Sequence, residues 1–184
     1  MDIFTYLIIF AGVLLVLALA AYNAFVSARL RIKEAWSQID VQLKRRSDLI
    51  PNLVASVKAY AKHEKGVFED VTKARNSLMS AEGPADKAKA DDMLSASLKS
   101  LFAIAEAYPN LKANENFLQV QKELSDTEDK VAYSRQFYNS SVLDYNTKLK
   151  TFPNVLIAGN LGFQEEEFYE AGESERRSVK VDFS

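Results

Sequence analysis

The sequence predicts an all-α fold: an N-terminal transmembrane helix continues into the first helix of an antiparallel four-helix bundle, and an irregular tail follows. Three observations support this prediction. The run from Ile3 to Ala21 contains no charged residue. After it, apolar residues recur at three- and four-residue intervals along most of the chain. Glycine and proline, at six and four residues, are too few for the many turns of an all-β fold.

The uncharged run from Ile3 to Ala21 is long enough to cross a bilayer. A helix of this length covers roughly 29 Å, close to the ~30 Å hydrocarbon core. One alternative is a cleaved secretory signal, which requires basic residues before the run, whereas this chain has only Asp2 there. Another is a buried core helix, and apolarity around the whole helix argues against it. We therefore predict a retained anchor over residues 1–23.

Flanking charge predicts the orientation of this anchor. Arg29, Arg31 and Lys33 follow the span, and no Lys or Arg precedes it. Because Lys and Arg accumulate on the cytoplasmic side, we expect the N-terminus outside and the soluble domain in the cytoplasm. The lipid bilayer is thus a predicted partner. Nucleic acid is not, because the net charge of the chain is −2.

The next part of the chain divides into four amphipathic segments, each with an apolar stripe on one face. The predicted helices span residues 22–47, 51–81, 86–107 and 113–151. A turn is expected near Asp48, because Ser47 and Asp48 are capping residues and Pro51 suits the first turn of a new helix. Short connections between amphipathic helices favour an antiparallel bundle over residues 24–153.

The last segment, residues 154–184, differs in character from the predicted bundle. Its acidic stretch begins at Glu165, and residues 178–183 alternate like a short strand. We predict an irregular acidic tail that lies on the bundle or on a protein partner.

Five charged residues fall on or beside the apolar stripes of the predicted helices. They are Glu64, Arg75, Glu106, Glu128 and Arg135. Because buried charge is tolerated only when it is paired and hydrogen-bonded, we predict that they form an internal network that fixes helix register. The alternatives are a proton relay or ligand pocket in the bundle, and partial exposure at a subunit interface.

The residue inventory argues against an enzyme. The chain has one histidine, His63, and no cysteine, which excludes thiol chemistry and zinc sites built on cysteine. It contains no phosphate-binding loop, nucleophile elbow or dinucleotide fingerprint. A di-iron bundle needs repeated Glu-x-x-His pairs, which a single histidine does not supply. We predict no catalytic residues, no metal and no cofactor.

Several long motifs resemble the LemA family. They are EAWSQIDVQLKRRSDLIPNLVASVKAYAKHE (Glu34–Glu64), VTKAR (Val71–Arg75), AEAYPNLKAN (Ala105–Asn114), FLQVQKELSDTEDKVAYSRQFYN (Phe117–Asn139) and YNTKLKTFP (Tyr145–Pro153). The resemblance implies a bacterial single-pass protein of the inner membrane with a helical-bundle domain and no established enzymatic activity. The recurrent polar positions of the family match at Arg46, Asp48, Asn52, Glu64, Arg75, Glu106, Glu128, Arg135, Asn139 and Asn146.

Two functions fit these observations. The first is a structural protein that self-associates into a homo-oligomer and organises a membrane-associated assembly, since no flexible hinge separates the predicted anchor from the bundle. The second is a monomeric adaptor that recruits a membrane or cytoplasmic protein, such as a protease or a signalling protein, through its bundle or its acidic tail. A scaffold forms a defined large species by itself. An adaptor stays small and loses its partner when residues 160–184 are removed.

Overall fold

The computed structural model describes residues 2–169, and every regular element within them is helical. The elements are α1 (Ile3–Lys58), α2 (Lys65–Ser80), α3 (Gly83–Glu106), the single turn α4 (Pro109–Lys112), α5 (Glu115–Lys150) and a 3₁₀ turn (Asn154–Leu156). The predicted all-α class is confirmed. The strand-like alternation at residues 178–183 lies outside the described residues, as do residues 170–177 of the predicted acidic tail.

The first helix is longer than predicted, and the turn expected near Asp48 is wrong. α1 continues without interruption to Lys58 and contains Pro51. The buried side chains Leu43, Ile50 and Leu53 continue one stripe through this region. Burial of that stripe outweighs the local capping signals, because tertiary packing decides most helix stability. The chain instead leaves the helix at residues 59–64, where no glycine or proline marks the break.

A second helix supplies the hydrogen bond that Pro51 cannot make. In an uninterrupted helix the N–H at position 51 would donate to the Ser47 carbonyl, but proline has no N–H. The Arg75 Nε donates to that carbonyl oxygen at 2.9 Å. The proline is therefore tolerated inside α1, because a side chain from α2 replaces the missing donor.

Two other helix boundaries have a local cause. Gly83 adopts a φ of +76° at the junction of α2 and α3, a conformation that glycine reaches without steric cost. The Asn114 Oδ1 accepts a hydrogen bond from the Phe117 N–H at 3.1 Å, as an N-cap residue does at the start of α5. The predicted bounds of the third and fourth helices are therefore close to the observed ones.

The described residues divide into two compact units, and the antiparallel four-helix arrangement as a whole stays a prediction. The first unit comprises residues 2–37 and Gln136–Glu167, and the second comprises Gln38–Arg135 with residues 168–169.

In the first unit, the initial part of α1 runs antiparallel to the final part of α5. The Trp36 and Tyr138 rings lie 5.7 Å apart between centroids. Phe25, Ala28, Ile32 and Ala35 form the buried stripe of α1. By contrast, residues 3–17 are exposed throughout, and α1 is the one helix among residues 2–169 that is long and apolar enough to cross a membrane.

The segment after α5 returns along that helix within the same unit. The Asn146 side chain donates to the Glu166 carbonyl at 2.9 Å and accepts from the Glu166 N–H at 3.0 Å. The Tyr138 hydroxyl donates to the Glu167 carbonyl at 2.9 Å. Burial, with Glu166 and Glu167 nearby, raises the pKa of Tyr138 to about 12. At neutral pH the phenol is protonated and can donate, as it would be at the ordinary tyrosine pKa of about 10.

In the second unit, α2 packs against α3, and the later part of α1 and the earlier part of α5 contribute to the same core. Its fully buried side chains include Ile39, Leu53, Val57, Val71, Leu94, Leu101 and Leu111. One pair of charged side chains is buried within this apolar core.

Candidate functional site

The buried pair consists of Arg46 on α1 and Asp91 on α3. The Arg46 Nη1 donates to the Asp91 Oδ1 at 2.6 Å, and the two side chains are 3% and 4% exposed. The Arg46 Nη2 donates to the Ser95 Oγ at 3.0 Å, also on α3. Each residue lies on the apolar stripe of its helix, so packing of α1 against α3 brings the two charges together. Removing one partner of such a buried ion pair strongly destabilises the fold, because the other charge stays buried without a counter-charge.

Other charged and aromatic groups surround this pair within the second unit. The Arg135 guanidinium lies 4.8 Å from the centroid of the buried Tyr169 ring, in a cation–π contact. Burial raises the pKa of the Asp91 carboxyl, and Arg46 and then Arg135 oppose that rise. Burial, reinforced by Asp91, raises the pKa of Tyr169 as well. We call Arg46, Asp91, Ser95, Arg135 and Tyr169 the polar cluster.

The structure does not bring the five predicted network residues into one buried group. Glu106 is exposed, and the Glu128 carboxylate is 61% exposed, 3.8 Å from Arg46 Nη2. Glu64 is half-buried beside the start of α2, and neither Glu64 nor Glu106 forms an ion pair within residues 2–169. Arg75 and Arg135 are half-buried, the first on the Ser47 carbonyl and the second on the Tyr169 ring.

The expectation of burial was thus incorrect for Glu106 and Glu128, because each lies at the edge of its stripe. Glu106 is the last residue of α3, next to the buried Ala105. Glu128 is adjacent to the buried Thr127 on α5. An angular error of one position on a helix, about 100°, moves a side chain from the core to solvent.

The buried pair itself was missed by sequence reasoning, although a signal for it exists. Arg46 continues the spacing of Ile39 and Leu43, but the predicted turn near Asp48 placed it at a helix end. Asp91 falls three residues before Leu94 and seven before Leu98 on the α3 stripe. A search for charges of opposite sign at stripe positions of different helices would have found both residues once α1 was extended past Asp48.

The chemistry of the polar cluster favours a structural role. Two guanidinium groups, one carboxylate, one hydroxyl and one phenol connect α1, α3, α5 and the segment that ends at Tyr169. Within residues 2–169 no group of three or more His, Cys, Asp or Glu side chains is placed to hold a metal ion. The cluster holds Arg46 of α1 opposite Asp91 and Ser95 of α3.

The contact between Arg75 and the Ser47 carbonyl makes a prediction that involves Pro51. Arg75→Met leaves the carbonyl without a donor and lowers the free energy of unfolding by about 1.5–3 kcal/mol, the usual range for a hydrogen bond to a charged group. In a Pro51→Ala background the restored N–H donates to the same carbonyl, so the same substitution costs less. Urea unfolding of the four chains, followed by helical circular dichroism, measures both losses. An equal loss in the two backgrounds would contradict the assignment.

The chain is similar to known proteins over most of its length. The sequence profile of the LemA family matches residues 35–183. Protein LemA of Metamycoplasma hominis is 28% identical, over 88% of this chain and 74% of that protein. The magnetosome protein MamQ of Magnetospirillum gryphiswaldense is 27% identical over 82% of this chain, and MamQ 2 of Paramagnetospirillum magneticum is 24% identical over 83%. This chain spans 65% of the length of each of these MamQ proteins.

Proposed function

The chain belongs to the LemA family, and from this premise we propose that it is a membrane-anchored structural protein, without enzymatic activity, that self-associates and organises a membrane-associated assembly. α1 anchors it in the inner membrane of a bacterium with the N-terminus outside, and the rest of the chain lies in the cytoplasm. The magnetosome relatives support a structural role, because they are named after a cellular structure and not after a reaction.

One observation carries this proposal. The exposed apolar residues 3–17 and the buried stripe from Phe25 to Ala35 belong to one uninterrupted helix and to one compact unit. No flexible linker therefore separates the anchor from the folded part of that unit. A domain held at a fixed height and angle on a membrane can meet identical neighbours through the same surface each time, which suits assembly into closed symmetric oligomers.

One form of the adaptor alternative binds its partner through the acidic tail, and the other binds it through the bundle. Two glutamates in the described part of the tail pair within the chain. The Glu165 carboxylate lies 2.8 Å from Lys150 Nζ, and the Glu166 carboxylate accepts from Arg29 Nε at 3.0 Å. These contacts favour the structural role over an adaptor that acts through its tail.

The mass of the protein in mild detergent tests self-association. We expect the full-length chain to form a discrete species of several copies. A chain that lacks residues 2–23 serves as the comparison, with circular dichroism to verify that it is folded. If both chains assemble, the surface outside the anchor drives association, and if only the full-length chain does, the anchor drives it. A full-length monomer would contradict the proposal and favour the adaptor.

A further inference from the structure

The turn that follows α5 exposes three large apolar side chains. Phe152 is 80% exposed, Val155 is 52% exposed and Leu156 is 64% exposed. They lie around the 3₁₀ turn, within four residues of each other along the chain. Single exposed apolar residues are ordinary. A compact group of three on one turn indicates a surface that a membrane or another molecule covers.

The register between α1 and α5 places this turn beside the end of the apolar span. Trp36 contacts Tyr138, and Arg29 and Asn146 both contact Glu166, so the two helices run antiparallel with matched positions. Lys150, the last residue of α5, is twelve residues after Tyr138, and Ala24 is twelve residues before Trp36. Both distances correspond to about 18 Å of helical rise. The end of α5 therefore lies near the level of Ala24, and Phe152 follows two residues later, beside the end of the uncharged run.

Contacts beyond the turn support the same placement independently. The Phe163 ring lies 5.6 Å from the Tyr22 ring and 5.0 Å from the Phe25 ring, between centroids. Ala18 and Ala21 are partly buried, whereas residues 3–17 are exposed throughout. The segment after α5 thus reaches the last turn of the apolar span.

We propose that the turn at residues 152–156 is a second membrane contact, in which Phe152, Val155 and Leu156 enter the interfacial region of the bilayer beside the anchor. Lipid is the occupant because the turn lies beside the end of the uncharged run of α1, whose exposed apolar surface lipid would surround. Lys148 and Lys150 precede the turn at the end of α5, but each forms an ion pair within the chain, with Asp144 and Glu165, so the proposal rests on the apolar side chains and not on these charges. The inference rests on the anchoring part of the proposed function and is independent of self-association.

Site-directed spin labelling tests the proposal in the full-length chain. The sequence has no cysteine, so each single-cysteine variant carries one label. The test variants are Phe152→Cys and Val155→Cys, in vesicles of phosphatidylcholine and phosphatidylglycerol. Collision with oxygen, which concentrates in lipid, is compared with collision with a water-soluble nickel chelate. We expect an oxygen-to-nickel ratio at both positions several-fold above that of a matched control.

The matched control is Leu143→Cys, and the anchor control is Leu14→Cys. Leu143 is 58% exposed on α5, nine residues before Phe152, and the seven residues from Leu143 to the end of the helix put it about 10 Å farther from the span. A ratio at Phe152 equal to that at Leu143 would overturn the proposal, as would protection of Phe152 from both reagents, which indicates a protein neighbour. A water-like ratio at Leu14 would overturn the anchoring itself. The two failures are therefore distinguishable.

Discussion

Replacing Arg46 with Met is expected to lower the free energy of unfolding by about 3–5 kcal/mol. The substitution preserves an unbranched side chain but leaves the Asp91 carboxylate, 4% exposed, without its charged partner. Loss of one member of a buried ion pair costs this much because the remaining charge stays desolvated. At about 2–4 °C per kcal/mol for a chain of this size, the melting temperature should fall by roughly 6–20 °C. Thermal circular dichroism of the full-length protein in detergent measures the loss.

Arg45→Met is the matched control, because Arg45 is the exposed neighbour of Arg46 on the same helix. It should change the melting temperature little. The double variant Arg46→Met with Asp91→Leu should recover much of the stability, since two apolar side chains replace both charges. Equal melting temperatures for Arg45→Met and Arg46→Met would contradict burial of the pair.

The pH dependence of stability in the Arg46→Met variant is a second test of whether Asp91 is buried. Burial raises the pKa of Asp91, and Arg46 is the main group that opposes this rise. Without Arg46 the folded-state pKa rises further above the unfolded value. The folded state then binds more protons than the unfolded state between those two pKa values, so stability falls as pH rises through that window. The variant should therefore regain part of its stability at acidic pH, where Asp91 is protonated.

The double variant Phe10→Arg with Leu14→Arg is expected to release the protein from membranes. Both residues are exposed near the middle of the uncharged run, and their spacing puts them on one helix face. Each arginine at the centre of a spanning helix costs about 2.5–3.5 kcal/mol for insertion, so two outweigh much of the favourable transfer of the span. Extraction of membranes with alkaline carbonate measures the retained fraction.

Leu30→Arg is the control for this variant. Leu30 is 58% exposed on the same helix but lies beyond the apolar run, so its substitution should leave the protein in the membrane fraction. If the double variant stays in the carbonate-resistant pellet as fully as the original chain, α1 is not the anchor.

The sequence alone predicted the all-α class and the outlines of α3 and α5, because apolar periodicity is a local signal. It placed the first turn of the chain near Asp48, whereas α1 continues past Pro51. The proline is tolerated because Arg75, 24 residues farther along the chain, donates to the Ser47 carbonyl. A local rule for proline cannot include a donor that another helix delivers.

The polar cluster was only partly predictable, because its contacts join residues that are far apart in the sequence. Arg135 was selected from the sequence because it lies on an apolar stripe, but the ring that it contacts, Tyr169, belongs to the segment that returns after α5. Asp91 lies in a stretch rich in lysine and aspartate, where most charges face solvent. Which of them faces inward depends on the packing of α1 against α3.

Counting subunits in a bilayer shows whether the full-length chain self-associates in a membrane. The full-length chain, with one fluorophore per copy at an exposed cysteine such as Leu143→Cys, is reconstituted at low density in vesicles, and photobleaching steps are counted for each spot. The proposed scaffold predicts a narrow distribution centred on several steps, and the same distribution at lower protein density. Spots that bleach in a single step at every density would contradict self-association.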